Sequence, residues 1–254
     1  MPYASRKDGT LDIKIYYEVV GKGRPIVFHH GNGNSSKDWH TLGYVAELAT
    51  ECQLILIDSR GYGKSSKPHD PAAYNLFSRA ADTIAVLDEL NVEKAHCLGG
   101  SIGAAMCMIL AKYYPERFLT YIFATPYFVQ FDENIKQALL RGPSAYLAKL
   151  EELMGEKFEN ESIRETFLAN DTQAVWAANS SEWFEYLDYI KYINTPSLIY
   201  VGSKEPSLAE VVSFAKKVPQ SEIQIFPNID HARLYWDGKL VAPLIKNFVK
   251  KHSQ

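Results

Sequence analysis

The sequence predicts an α/β fold in which a mostly parallel central sheet is flanked by helices. Six short apolar runs have the length of buried strands, and amphipathic stretches of helical period separate them. Buried parallel strands are apolar throughout because both faces of their sheet are covered. Strands that alternate with helices therefore indicate a parallel sheet with helices on both faces. The predicted central strands are PIVFHH (25–30), CQLILID (52–58), KAHCLG (94–99), LTYIFAT (119–125), PSLIYVG (196–202) and EIQIFP (222–227).

Other segments complete this sheet and cover it. The run LDIKIYYEVV (11–20) alternates apolar and polar residues more strictly, which predicts an antiparallel strand at the edge. Apolar residues at helical spacing predict the covering helices. These are FSRAADTIAVLDEL (77–90), IGAAMCMILAKYY (102–114), LAEVVSFAKKV (208–218) and LVAPLIKNFVKK (240–251).

One interval departs from this alternation. Residues 127–194 contain no clear buried strand, are helical in period, and are rich in Trp and Tyr. We therefore predict a core formed by residues 1–126 and 195–254, with residues 127–194 as an inserted helical cap. The cap is expected to lie on the strand ends.

Composition excludes several classes of function. With 254 residues and 46% hydrophobic content, the chain can bury one sizeable core. Its net charge of -3 comes from interspersed charges, so we expect a small-molecule substrate and neither nucleic acid nor a membrane as partner. The sequence has no run of about 18 apolar residues, no secretory signal pattern and no phosphate-binding or dinucleotide glycine motif. We therefore expect no cofactor.

The three cysteines indicate a location but not a site. Cys52, Cys97 and Cys107 lie inside apolar patterns, at spacings that match no zinc motif. Free buried thiols are typical of a reducing compartment, so we expect a cytoplasmic protein without a bound metal. The oligomeric state is not predicted.

The stretch LGGSIGA (98–104) supplies a candidate nucleophile. Ser101 follows a predicted strand and precedes a predicted helix, in the G-x-S-x-G pattern. Flanking glycines permit the strained turn that exposes such a hydroxyl. An ordinary Gly-Ser turn is the alternative.

A serine hydroxyl needs a base, and histidine is the usual one because its pKa lies near neutrality. His231 follows the last predicted strand and is the best candidate among seven histidines. A carboxylate must then orient the imidazole. Glu205, after the preceding strand, is the leading candidate, and Asp132 is the alternative. Asp230 adjoins the histidine, so its side chain is poorly directed to serve it.

An oxyanion hole requires backbone N–H groups that point to the reacting centre. The run HHGNGNSSKDW (29–39) leaves a strand with glycines that free the backbone to turn inward. The N–H groups of Asn32 and Ile102 are the predicted donors. His30 is expected to support this loop by hydrogen bonding.

The order of these motifs is recognisable. HGNG after the first parallel strand, DSRGYGKS (58–65), GGSIG, a helical insertion, GSKEP and DH together resemble the α/β-hydrolase superfamily along nearly the whole chain. The resemblance implies a small serine hydrolase with Ser101 as nucleophile, His231 as general base and then acid, Glu205 as orienting acid, and a helical cap. It also implies that Asp58 and Arg60 shape a loop beside the site.

Two departures from the family pattern matter. The orienting acid in small members is more often Asp in a G-x-x-D-P setting, whereas Glu205 is one methylene longer. The elbow carries Ser101 where dehalogenases and epoxide hydrolases of this fold carry aspartate, which disfavours both of those chemistries.

The leading hypothesis is hydrolysis of a small, apolar ester or lactone through an acyl-serine intermediate. Aromatic residues near the cap could line an acyl pocket or only form the core of the cap. The predicted pocket residues are Tyr127, Phe128, Trp176 and Trp183, with Phe131 and Phe184 beside them.

Other functions stay open. GGSIG after DSRGYGKS also resembles prolyl aminopeptidases, whose substrate amine would need an acidic anchor. Acidic residues of the insertion could supply it, namely Glu151, Glu152, Glu182 and Glu185. Carbon–carbon bond hydrolysis and acyl transfer are further enzymatic alternatives. A different class is a ligand sensor of the same fold that turns over slowly or not at all.

Overall fold

The computed structural model describes residues 2–128, 132–155, 157–182 and 184–253. Eight strands and twelve α-helices lie within these ranges, with 3-10 turns at Pro71–Tyr74, Ser101–Gly103, Pro115–Arg117 and Ile190–Tyr192. The strands are β1 (Tyr3–Asp8), β2 (Leu11–Val20), β3 (Arg24–His29), β4 (Cys52–Ile57), β5 (Ala95–Gly100), β6 (Phe118–Ala124), β7 (Ser197–Gly202) and β8 (Ser221–Phe226). The helices before the insertion are α1 (Asp38–Thr41), α2 (Tyr44–Leu48), α3 (Leu76–Glu89) and α4 (Ala104–Tyr113). They are followed by α5 (Glu133–Leu140), α6 (Pro143–Met154), α7 (Glu161–Leu168), α8 (Thr172–Ser180), α9 (Tyr186–Tyr189), α10 (Leu208–Lys217), α11 (His231–Tyr235) and α12 (Gly238–Lys251).

The strands form one twisted sheet in the order β1-β2-β4-β3-β5-β6-β7-β8. The β1–β2 and β2–β4 pairs are antiparallel, and the five remaining pairs are parallel. The predicted class, a mostly parallel sheet flanked by helices, is confirmed. Because β3, β5, β6, β7 and β8 run in one direction, the loops after them meet at one edge of the sheet, where ligands bind in such folds.

Helices cover both faces of the sheet. Alternate residues of a strand point to opposite faces, so Ile26 and Phe28 pack with α2 and α12, whereas Val27 packs with α3, α4 and α10. All three of these strand residues are fully buried. The three cysteines are free and buried.

Two strands differ from the sequence prediction. β1 was not predicted, and it pairs with β2 on the side away from β4, so β2 is an inner strand and not the edge. Its sequence YASRKD is too polar to be seen as a buried strand, and it joins β2 through a tight turn at Gly9, whose φ is +58°. β8 was predicted as a central strand, but it is the other edge, with Ile223 and Ile225 about 40% exposed.

Five helices, α5 to α9, lie between β6 and β7 in the described part of the insertion. Local capping explains where three of them begin. Asp132, Asn160 and Asp171 precede α5, α7 and α8, and each side chain accepts a hydrogen bond from a backbone N–H of the first turn.

Candidate active site

Ser101 lies at the turn between β5 and α4, just after the strand ends. Its φ is +54°, a left-handed conformation that residues other than glycine rarely adopt. A Cβ atom on Gly99 would lie 2.3 Å from the carbonyl oxygen of Gly103, so the strand and the following turn approach too closely for any side chain there. This is the sharp turn that presents a serine hydroxyl above the sheet.

A chain of hydrogen bonds joins three side chains at this edge of the sheet. Nε2 of His231 lies 2.9 Å from Oγ of Ser101, and Nδ1 of His231 lies 2.6 Å from Oε2 of Glu205. The serine follows β5, the glutamate follows β7 and the histidine follows β8, so three separate strands position them. With its Nδ1–H donated to the carboxylate, the imidazole presents Nε2 as the acceptor for the serine proton.

Glu205 is held as a carboxylate. It is 5% exposed, and its Oε1 accepts a hydrogen bond of 3.1 Å from the Ser207 hydroxyl. Burial by itself raises the pKa of Glu205, but the hydrogen bond and charge of His231, together with the bonds from Ser207, outweigh burial and lower it overall. Glu205 therefore stays ionised at neutral pH, and a carboxylate in this position can stabilise an imidazolium.

Two other carboxylates near the predicted site act as helix caps. Asp132 accepts a hydrogen bond of 3.0 Å from the Ile135 N–H at the start of α5. Asp230 accepts one of 2.9 Å from the Arg233 N–H at the start of α11. The geometry thus places Glu205, and not Asp132, against the histidine.

The loop after β3 approaches Ser101 from the other side. Asn32 and Ile102 both line the cavity beside the serine. Within the described residues the backbone N–H of Asn32 has no acceptor, so it is available to a ligand. The N–H of Gly31 is already used, because it donates to the Tyr235 hydroxyl at 2.8 Å.

His30 supports this loop through both ring nitrogens. Nδ1 donates to the carbonyl oxygen of Gly31 at 2.8 Å, and Nε2 accepts from the N–H of Ser59 at 3.1 Å. Burial lowers the pKa of His30, although the nearby charge of Asp58 opposes this. A neutral imidazole fits both hydrogen bonds.

The side chain of Asn32 connects this loop to the helical insertion. Its Nδ2 donates to Oδ1 of Asn179 on α8 at 2.9 Å. Its Oδ1 accepts from the hydroxyl of Tyr62 at 2.9 Å and from the hydroxyl of Tyr146 on α6 at 3.0 Å. A further bond of 2.8 Å joins the Asn170 amide to the carbonyl oxygen of Gly33. The conformation of the loop therefore depends on the insertion.

Asp58 and Arg60 hold neighbouring loops. Asp58 accepts hydrogen bonds from the backbone N–H groups of Ser36 at 2.6 Å and Lys64 at 2.7 Å. Arg60 is paired with Asp82 through two nitrogens, at 2.9 and 2.6 Å. Both side chains are buried, and neither lines the cavity beside Ser101.

A cavity of about 430 Å³ opens beside Ser101. Ser101, Glu205, His231 and the loop after β3 line one side of it, and apolar side chains of the insertion form much of its wall. Of the predicted pocket aromatics, Tyr127 lines it, with its ring 6.3 Å from the His231 ring. The larger apolar side chains that also line it are Ile135, Leu150, Leu153, Met154, Phe158, Phe167 and Trp236.

Three of the predicted pocket residues, Phe128, Trp176 and Phe184, do not line this cavity. Phe128 packs against Tyr186 and Phe214, in the core on the sheet face to which Val27 points. Trp176 packs against the core on the opposite face, which contains Phe28. Phe184 lies against Tyr189. Phe131 and Trp183 fall outside the described residues.

Aliphatic residues of α6 supply wall positions that the sequence analysis missed. Leu150, Leu153 and Met154 lie at i, i+3 and i+4, so they share one helix face. Leu153 and Met154 are 53% and 41% exposed and lie at the mouth of the cavity. Their spacing was the available signal, but it could not show which way that face points.

Two further features of the described residues bear on function. They contain no group of three or more His, Cys, Asp or Glu side chains arranged to hold a metal ion. Their helices include none with the length and apolarity needed to cross a bilayer.

Comparisons with known proteins identify the fold and a range of reactions. The family model described as alpha/beta hydrolase fold matches residues 24–183. A 2-hydroxy-6-oxononadienedioate/2-hydroxy-6-oxononatrienedioate hydrolase of Pseudomonas putida is 26% identical over 279 residues, which cover 98% of this chain and 96% of the relative. A thermophilic esterase from Thermogutta terrifontis superposes with a TM-score of 0.83 at 21% identity, over 98% of both chains. A bromoperoxidase from Bacillus anthracis superposes with a TM-score of 0.82 at 21% identity, over 98% of this chain and 99% of that one.

Proposed function

The chain belongs to the alpha/beta hydrolase fold family, and on that basis we propose that it is a serine hydrolase that cleaves small, apolar esters or lactones. The observation that carries this proposal is the hydrogen-bonded series Ser101, His231 and Glu205 at the floor of an apolar cavity. The comparisons support a hydrolase of this family, and the choice of an ester or lactone is ours.

In the first step, Nε2 of His231 removes the proton of Ser101 as Oγ attacks the substrate carbonyl carbon. The N–H groups of Asn32 and Ile102 hold the negative oxygen of the tetrahedral intermediate. His231 then gives its proton to the leaving alkoxide, the carbon–oxygen bond breaks, and an acyl-serine remains. Glu205 stabilises the imidazolium throughout this exchange.

In the second step, a water molecule replaces the alcohol. His231 takes a proton from that water as its oxygen attacks the acyl carbon, and the same backbone donors hold the new oxyanion. Collapse of the intermediate breaks the bond to Ser101 Oγ, which recovers its proton from the imidazolium. The products are a carboxylic acid and the free enzyme.

The lining of the cavity favours a neutral substrate. Lys204 is the sole lysine or arginine among the described lining residues, whereas Glu205 and Asp230 are acidic. A dianionic substrate, such as the dioate in the name of the Pseudomonas putida relative, would need several cationic partners. The cavity lining therefore suits hydrolysis of an apolar ester better than carbon–carbon bond hydrolysis of such an acid.

The same lining disfavours an aminopeptidase. Glu151 is paired with Arg164 and accepts from the Phe158 N–H, and Glu152 is paired with Lys149. Neither of these glutamates lines the cavity, and neither do Glu182 and Glu185. Among the described residues of the insertion, no carboxylate is placed to hold a free amino terminus.

Labelling and turnover test the proposal together. A fluorophosphonate probe should label the native chain with one equivalent, and Ser101→Ala and His231→Ala should each abolish labelling. Turnover is then measured on p-nitrophenyl esters of increasing acyl length, for which we expect multiple turnovers per protein. Labelling without sustained turnover would favour a ligand sensor, and no labelling of a folded protein would exclude the assignment of Ser101.

A further inference from the structure

A cluster of buried and half-buried charges lies beside the loop that carries Asn32, and it holds three arginines but two carboxylates. Oδ1 of Asp82 accepts from Arg60 at 2.6 Å and from Arg6 at 3.1 Å, and Oδ2 of Asp82 accepts from Arg60 at 2.9 Å. Asp8 accepts from Arg60 at 2.5 Å. Asp8 and Asp82 thus accept hydrogen bonds from Arg6 and Arg60, whereas the third arginine, Arg79, lies near Asp82 but forms no ion pair with it.

The guanidinium of Arg79 has no acceptor among the described residues. Its backbone N–H bonds to the carbonyl oxygen of Asn75 as part of α3, but its side chain forms no hydrogen bond or ion pair. The nearby Tyr62 hydroxyl does not supply a negative charge, because burial raises the pKa of Tyr62 to about 12. A guanidinium keeps its own charge at neutral pH, and Arg79 is half-buried, so its charge is only partly hydrated and can attract an anion.

Arg79 faces a small cavity of about 30 Å³ that is separate from the large one. Ser59, Tyr62 and Asn179 provide polar groups in its wall, and no described residue that lines it is acidic. A single water needs roughly 10 to 15 Å³ of such volume, so the cavity has room for one small ion or two waters. Gly31, Asn32 and Ile102 line both cavities, so the loop with the candidate oxyanion donors separates them.

We propose that this small cavity is a binding site for a small monovalent anion, a halide or a carboxylate of the size of formate, held by Arg79. The cavity has the surplus positive charge, hydrogen-bond donors and the volume that such an ion requires. A bound anion would lie behind the peptides of Asn32 and Ile102, where its charge opposes an oxyanion on their other side. Anion binding should therefore slow turnover, a consequence that rests on the proposed function, whereas binding itself does not.

Binding is tested without any assay of activity. Sodium bromide is titrated against sodium gluconate at constant ionic strength, and the melting temperature is followed for the native chain, Arg79→Gln and Arg141→Gln. Arg141 is an exposed arginine of the insertion and serves as the matched control. We expect a saturable rise of the melting temperature with bromide in the native chain and in Arg141→Gln, and no such rise in Arg79→Gln.

A crystal soaked in bromide gives a second readout that does not need a folded variant. The anomalous signal should place one bromide in the small cavity, within hydrogen-bond contact of the Arg79 guanidinium. No bromide in this cavity, or the same thermal shift in Arg79→Gln as in the native chain, would overturn the proposal and leave the cavity to water.

Kinetics distinguish the source of a carboxylate. Formate that lowers kcat of p-nitrophenyl ester hydrolysis by about 2- to 10-fold without raising KM supports an independent anion site behind the loop. Formate that raises KM alone indicates that formate competes with the ester in the large cavity, which overturns its action from the small cavity. Unchanged kinetics with bromide bound would overturn the effect on turnover, and no hydrolysis at all would contradict the proposed function but leave the binding result standing.

Discussion

The amide of Asn32 donates a hydrogen bond of 2.9 Å to the side-chain oxygen of Asn179, and so joins the loop after β3 to helix α8 of the insertion. Asn179 is buried, and its own amide donates to the carbonyl oxygen of Val175 at 2.7 Å, which fixes its orientation. The Asn32 N–H is a candidate oxyanion donor, so its direction depends on a residue 147 positions along the chain. The insertion thus orients the loop as well as covering the cavity.

Replacement of Asn179 by alanine should lower kcat more than it raises KM. Loss of this bond frees the Asn32 side chain, and misdirected oxyanion donors weaken binding of the transition state more than that of the substrate. One hydrogen bond is worth about 1 kcal/mol, so a decrease of roughly 3- to 10-fold in kcat is expected. Gln173→Ala, on the exposed face of the same helix, is the control. Equal kinetics for the two variants would show that the bond does not position the loop.

Glu205→Gln should nearly abolish ester hydrolysis while preserving the fold. An amide cannot stabilise the imidazolium and can favour the wrong tautomer, and losses on the order of 10³- to 10⁴-fold in kcat are typical of such changes. Asp132→Asn is the matched control, because Asp132 caps α5 and should change kcat by less than about 2-fold. The measurement is kcat on one p-nitrophenyl ester for the native chain and for both variants. A large loss in Asp132→Asn instead would transfer the role to that residue.

Leu153→Trp should shorten the acyl chain that the protein accepts. Leu153 lies at the mouth of the cavity and is 53% exposed, so a larger side chain there narrows the entrance at little cost in stability. We expect kcat/KM for an octanoyl ester to fall by about 10-fold relative to a butanoyl ester. Leu140→Trp, at an equally exposed leucine that does not line the cavity, should leave this ratio unchanged. If the ratio of kcat/KM for the octanoyl ester to that for the butanoyl ester were the same in both variants, the acyl chain would not bind past Leu153.

His29 should make the fold sensitive to acid. Burial lowers the pKa of His29 from 6.5 to about 3, aided by the neighbouring His30 and Arg79. Between those pH values the unfolded chain binds a proton that the folded chain does not, so the free energy of unfolding falls as the pH falls. This contribution is at most about 1.4 kcal/mol per pH unit.

Urea unfolding at pH 7, 6 and 5 measures this effect. The decrease in unfolding free energy should be smaller for His29→Gln than for the native chain over this range. His40→Gln is the control, because His40 is exposed and bonds to Glu18. If the unfolding free energy of His29→Gln and of His40→Gln decreased equally between pH 7 and pH 5, groups other than His29 would cause the acid sensitivity.

Much of the architecture could be predicted because it follows from local patterns. Continuous apolar runs indicated strands covered on both faces, and parallel strands place the loops that follow them at one edge. Ser101, Glu205 and His231 each follow such a strand, so the order of motifs was enough to predict that they meet. Backbone topology, and not detailed packing, sets their positions.

The less regular strands and the wall of the cavity could not be predicted in the same way. The residues of β1 are mostly polar, so hydropathy does not distinguish this strand from a loop. β8 contains apolar residues although it is exposed, so hydropathy does not distinguish it from an inner strand. Aromatic residues of the insertion suggested a pocket, yet Phe128 is buried in a core and Trp176 packs against one, while aliphatic residues of α6 line the cavity. The direction of a helix face depends on how several helices pack together, and the spacing of residues along one helix does not contain that information.

The sequence was enough to predict the candidate site residues, whereas the folded structure was needed to show which distant side chains pair. The candidate serine, base and acid were predicted from residue type and from their place after successive strands. The bond between Asn32 and Asn179 joins side chains that are far apart in sequence. The same is true of the pairing of Asp82 with Arg60, which leaves Arg79 without an ion pair. Residue type shows that such groups can pair, but only the folded arrangement decides which of them do, because each pairing is set by distance and direction in the assembled core.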